Sequence, residues 1–136
     1  MSSAVWDLQQ AVHATLSADT AILALLGTPR IYDDVPRGAA LPYVTLAAFT
    51  TRDWATGTEP GTEITFTAHA WSRGAGHKGP HLLADAVRVA LHDQPLTLSA
   101  HHLVNLRHDS SETRRERDGS TYRVIARFRA VLEPVP

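Results

Sequence analysis

The sequence predicts an α+β fold: an antiparallel β-sheet of about four to five strands with two main helices packed on one face, a two-layer sandwich. Three observations carry this. Apolar residues recur at helical spacing in two separated segments, and two-residue alternation runs through several others. The extended segments are joined at two places by hairpin signals, which favour antiparallel neighbours. The chain has 136 residues, 43% apolar and 20% charged, so neither disorder nor a collagen-like repeat is expected. A chain of this size buries roughly two-thirds of its unfolded surface, enough for one core without staples.

The elements follow in order. Val5, Leu8, Val12 and Leu16 make one apolar stripe of a first helix, which Ser2 or Ser3 can cap. Ser17 and Asp19 offer a second start, and Ile22, Leu23, Leu25 and Leu26 run up to the stop at Gly27 and Pro29. Ile31-Tyr32 suits a brief strand. Tyr43–Thr51 is rich in β-branched and aromatic residues with mostly alternating pattern. Residues 52–62 carry Gly57, Pro60 and Gly61 and are expected to be a long hairpin loop. Glu63–Ser72 alternates strictly, with Ile64, Phe66, Ala68 and Ala70 on one face. After the breaker cluster Gly74–Gly79, Pro80 opens a helix striped by Leu82, Leu83, Ala86, Val87, Ala90 and Leu91. Leu103–Arg107 is a further alternating strand. Residues 109–120 are expected to be a charged loop holding the hairpin signal Asp118-Gly119. Tyr122–Leu132 is the clearest strand, apolar on one face and bearing Arg123, Arg127 and Arg129 on the other. Glu133-Pro-Val-Pro is expected to be a short tail.

Composition excludes several functions. Cysteine is absent, which removes disulfides, thiolate metal sites and cysteine catalysis. The longest apolar run is a few residues, too short to cross a membrane, and no secretory signal is expected. The eight histidines show no zinc-site spacing: Gly79 and Pro80 separate His77 from His81, and His101 and His102 fall on opposite strand faces. Ser72 and His69, three apart in a strand, face opposite sides, and no G-x-S-x-G turn exists. Gly74-Ala-Gly76 lacks the rest of a phosphate-loop pattern, and Asp33-Asp34 suits a solvated turn. No catalytic, cofactor-binding or metal site is expected, and no enzyme.

Charge is informative once the chain is halved. The net charge is −1. Residues 1–68 hold three basic and seven acidic groups, −4, and residues 69–136 hold ten and seven, +3. Such asymmetry suits a nucleic-acid surface or two faces that meet in an assembly. The arginines concentrate on the last strand (Arg123, Arg127, Arg129) and before it (Arg114, Arg115, Arg117). Glu112, Glu116 and Asp118 intersperse with them and no aromatic stacking platform accompanies them, so protein–protein contact ranks ahead of nucleic acid.

An ordered set of strings carries a resemblance. These are Leu25-Leu26-Gly27, Arg30-Ile-Tyr-Asp-Asp-Val-Pro36, Leu41-Pro-Tyr-Val-Thr-Leu46, His69-Ala-Trp-Ser-Arg73 with Gly76, and Gly119-Ser-Thr-Tyr-Arg123 with the arginine-bearing final strand. Together they resemble the tail terminator or tail completion proteins of long-tailed (siphovirus-like) bacteriophages and gene transfer agents, over nearly the whole chain. The resemblance implies a single tail terminator-like domain over 1–136 and a non-enzymatic structural role. It implies a homo-oligomer, usually a hexameric ring, at the head-proximal end of the tail tube. The ring would end tube polymerisation and join the tail to the head-tail connector or stopper, with DNA passing through without sequence-specific binding. The particle would assemble in the bacterial cytoplasm, with no cofactor, membrane or small-molecule substrate. Interface candidates are Arg52, Trp54, Arg73, Arg114, Arg115, Arg117, Arg123, Arg127 and Arg129. Trp71 is either core or an interface anchor. The acidic and basic halves are expected to meet across each interface. The alternative is a small nucleic-acid-binding regulator that uses the arginine-bearing strand.

Overall fold

The computed structural model describes residues 3–73 and 78–135, with the Lys78 side chain excepted. Ser2, His77 and the breakers at 74–76 lie outside the described residues. Helix α1 (Ala4–Ala18) begins at Ser3, whose hydroxyl accepts from the Trp6 amide, and buries Leu8, Val12 and Leu16. Asp19 then accepts from the Ile22 amide and starts α2 (Thr20–Leu26). Gly27 stops it with φ +82°, a conformation that costs glycine little.

The strands are β1 (Ile31–Tyr32), β2 (Tyr43–Asp53), β3 (Thr62–Arg73), β4 (His101–Arg115) and β5 (Thr121–Pro134), with α3 (Lys78–Leu91) between β3 and β4. They form one open sheet in the order β1-β2-β3-β5-β4. The expected two-layer α+β architecture is therefore present, with one correction. The sheet is mixed, because β1 lies parallel to β2, Ile31 beside Val44 and Tyr32 beside Thr45. The 33–42 connection turns back to the end of the sheet where β1 began.

Three further expectations need correction. Residues 109–115 are not loop but the second half of β4, so the hairpin turn shrinks to 116–120. Neither face of that extension is buried beneath helices, so it has no apolar alternation to reveal it, and a register shift at His108/Ser110 breaks the pattern. Glu133 and Pro134 belong to β5 rather than a tail, paired with His102 and His101. The hairpin loop between β2 and β3 is correspondingly shorter than expected, 54–61.

The core lies between the helices and one sheet face. Phe49, Phe66 and Phe128 stack across β2, β3 and β5 at 5.0 and 5.4 Å, and His108 meets Phe128 edge-on at 5.5 Å. Ala68, Ala70, Ala126 and Ala130 flank this ladder, and their small side chains leave room for α3 to settle on β3 and β5.

One charge is built into this layer. Asp7, 4% exposed in the first turn of α1, accepts from the Ser99 amide and hydroxyl, the Ala100 amide and His101 Nδ1, at 2.8–2.9 Å. Burial pushes its carboxyl up, but these four donors prevail and hold it at about 2. The carboxylate thus ties α1 to the start of β4, more than ninety positions away. Its stabilisation should be complete above the ordinary value of 3.8 and lost as pH falls toward 2, about 2 kcal/mol in all. Asp7→Asn should cost roughly 2–3 kcal/mol at neutral pH and abolish that acid dependence. Urea unfolding of both proteins between pH 2 and 7 checks it.

Candidate functional site

The helices leave the second sheet face open. Side chains alternate along a strand, so the register assigns residues to that face directly. Five cross-strand rows result. Tyr43, Trp71, Arg123 and Arg114 form one, and Thr45, His69, Ile125 and Glu112 the next. Ala47, Thr67, Arg127 and Ser110 form a third, Thr50, Thr65, Arg129 and Arg107 a fourth, and Arg52, Glu63, Val131 and Asn105 a fifth.

Each arginine of β5 finds a carboxylate. Arg129 directs Nε and Nη2 to one oxygen of Glu63 at 2.8 and 2.7 Å, while its guanidinium lies 4.7 Å over Trp54. Arg52 approaches the other oxygen of Glu63 at 3.8 Å. Glu63 is nearly buried between these two charges. Arg127 and Arg114 share Glu112, at 3.0 and 2.6 Å, and both hold its carboxyl below the usual range. Arg123 pairs with Glu116 at 3.2 Å and stacks 4.6 Å over Trp71, whose indole N–H donates to Thr45.

A relay of donors threads the centre. Arg123 donates to His69 Nδ1 (3.4 Å), His69 Nε2 to the Thr67 hydroxyl (3.0 Å), and that hydroxyl to the Ala47 carbonyl (3.2 Å). Thr67 can donate only one proton, so this chain assigns the Nε2–H tautomer. Burial, then the charges of Arg123, Arg127 and Arg114, push His69 down to about 4. It is neutral wherever the face is intact near neutral pH.

The remaining candidates gather at the β4–β5 turn. Arg73 donates to Thr121 and lies 3.7 Å from Asp118, which also accepts from the Thr121 hydroxyl and from the amides of Thr121 and Ser120. Those bonds, the Thr121 hydroxyl foremost, draw the Asp118 carboxyl down to about 2. Arg115 points to the other side, donating to the Gly119 carbonyl and lying 5.9 Å from the Tyr122 ring centre. Arg117 is exposed on the turn.

The structure thus brings Arg52, Trp54, Arg114, Arg123, Arg127 and Arg129 onto or beside one face and puts Arg73, Arg115 and Arg117 at its end. Sequence reasoning missed Glu63, Glu112 and Glu116 as their partners. Strand alternation places Glu63 with Thr65, Thr67 and His69 on this face, but only the β3–β5 register sets it near Arg129. Ile125 and Val131, each 4% exposed, also stand on it, so the face is not the purely polar surface that the arginines suggest. Among the described residues, no group of three or more His, Cys, Asp or Glu side chains could hold a metal ion, and no helix is long and apolar enough to cross a membrane.

Comparison with known proteins decides the family. The description "Tail completion protein gp17" matches residues 10–133. The chain belongs to the tail completion protein gp17 family. A solved chain from the virion of a native gene transfer agent particle is 35% identical, with a TM-score of 0.88, and the likeness covers 97% of this chain and 99% of that one. No curated protein matches. The gp17-family assignment agrees with the resemblance carried by the ordered strings.

In this gp17-family protein, His69 should titrate near pH 4, followed by its ring proton shifts in NMR. Its folded value lies below the ordinary 6.5, so stability should be fully present above 6.5 and fall as pH drops toward 4. His69→Gln should remove that part of the pH dependence.

Proposed function

We propose that the protein is a structural, non-enzymatic component of the tail of a phage-like particle, formed by residues 1–136 as one domain. Copies assemble into a closed ring, a hexamer by the family resemblance, at the head-proximal end of the tail tube. The ring caps the tube against further polymerisation, offers its other side to the head-tail connector, and lets DNA pass through its centre. The observation that carries this is the family match over 10–133, joined to whole-chain likeness to a protein of a gene transfer agent virion.

The geometry is consistent with a part that works by shape and contact. Arginine forks, tryptophans and carboxylates stand together on a broad sheet face, the residue types that serve protein interfaces. Arg123, Arg127 and Arg129 are each already paired with a glutamate. That neutralisation makes β5 a poor phosphate track, which weighs against the nucleic-acid regulator.

Deleting the gene should yield tails of uncontrolled length and heads without attached tails, both visible by electron microscopy. Particles with normal tail length and firmly joined heads would refute the assignment.

A further inference from the structure

An open sheet has two edges, and here each is half closed. β1 occupies the edge of β2 only at Val44 and Thr45, and the stretch from Phe49 to Asp53 has no strand beside it among the described residues. On the opposite edge, the end of α3 covers the first half of β4. Asp93 N–H donates to the Leu106 carbonyl at 2.8 Å, and His108 N–H to His92 Nδ1 at 2.9 Å. Among the described residues, no backbone bond of this kind covers the second half of β4, where only the Thr113 hydroxyl meets α3, at His81 Nε2 (3.3 Å).

The alternation of ladder bonds shows which backbone groups point outward. Trp54 N–H donates inward to Gly61 and Glu116 N–H inward to Thr121. Counting back in steps of two, Arg52 and Thr50, and Arg114 and Glu112, also face inward. Phe49, Thr51 and Asp53, and Ser111, Thr113 and Arg115, therefore face outward. A run of outward N–H and C=O groups is a template for another strand.

We propose that the open half of β4 in one subunit pairs, antiparallel, with the open half of β2 in the next copy of this chain, Thr113 lying opposite Thr51. The pairing rests on the ring described above. β4 runs opposite to β2 within the sheet, so two copies in the same orientation bring these edges together antiparallel. Side chains select the register. With Thr113 opposite Thr51, Arg52 stands opposite Glu112 and Asp53 opposite Ser111. A slip of two residues one way sets Arg52 against Arg114, and the other way sets it against Ser110 and forfeits the charge pair.

Charge continues the match. Beyond Arg115 the chain turns at Arg117, which is exposed. In the neighbour, the same slot beside β2 holds Asp33 and Asp34, exposed directly after β1. The basic end of one subunit thus meets the acidic loop of the next.

The offset also suits closure. Thr113 is level with Val124 of β5, and Thr51 with Ile64 and hence Ala130, six residues further along. That is about 20 Å along the strands, against about 19 Å for four strand spacings across. The resulting tilt is roughly 45°, at the upper end of the range that closed barrels use.

The chain has no cysteine, so Thr51→Cys/Thr113→Cys supplies its only thiols. A hydrogen-bonded antiparallel pair holds Cα atoms about 5.5 Å apart, within disulfide range. Oxidising the assembled protein should give a ladder in multiples of 14.8 kDa up to the size of the ring. Each single-cysteine variant should stay at monomer mass, because the contact joins two different residues. Asp53→Cys/Ser111→Cys tests the same register independently, and Thr51→Cys/Ser111→Cys, one register off, should give no ladder. Asp33→Lys/Asp34→Lys should weaken assembly, and adding Arg117→Glu should restore it. Rings seen by electron microscopy without a ladder from either matched pair overturn the edge pairing and leave the ring standing. Absence of any ring from native particles overturns both.

Discussion

The ladder between β3 and β5 runs unbroken from Thr62–Leu132 to Arg73–Thr121, twelve pairs without a bulge. Because side chains alternate, one register fixes both faces at once. On the helix side it aligns Phe66 with Phe128 and Ala68 with Ala126. On the other it puts Trp71 beside Arg123 and Thr65 beside Arg129. A slip of one residue would drive the arginines into the core and the phenylalanines into water. The irregularities are confined to β2 and β4, the strands outside this pair, and the bulge of β2 holds Ala48 at φ +56°.

The arginine face shows how such a sheet can carry many charges. Exposed ion pairs contribute little, whereas an unpaired charge under cover is costly. Glu63 is the sensitive position: its side chain is 8% exposed, and two guanidiniums compensate it. His69 escapes the same problem by staying neutral and accepting from Arg123.

Asp7 performs the corresponding task in the helical layer. A carboxylate near the start of a helix is favoured by the helix dipole, and here it also satisfies two backbone amides that precede β4. Glu63–Arg129 joins the acidic amino-terminal half to the basic carboxy-terminal half within one subunit. Part of the charge asymmetry is therefore spent inside the fold.

The sequence by itself determined the local elements, because their causes are local. Ser3 and Asp19 cap the helices, Gly27 stops one, Asp118-Gly119 makes a turn, and alternation marks β3 and β5. It also carried the family, through strings that recur in order along the chain. Residues 109–115 escaped because a solvent-flanked hairpin needs no apolar alternation and a bulge disrupts its period. The parallel placement of β1, the partners of each arginine and the anchoring of Asp7 were decided only by tertiary structure. These are matters of which distant segments lie side by side: Glu63 and Arg129 are sixty-six positions apart, and no local spacing encodes their meeting. The half-closed edges have the same origin, since an edge is open only when nothing else in the fold comes to cover it.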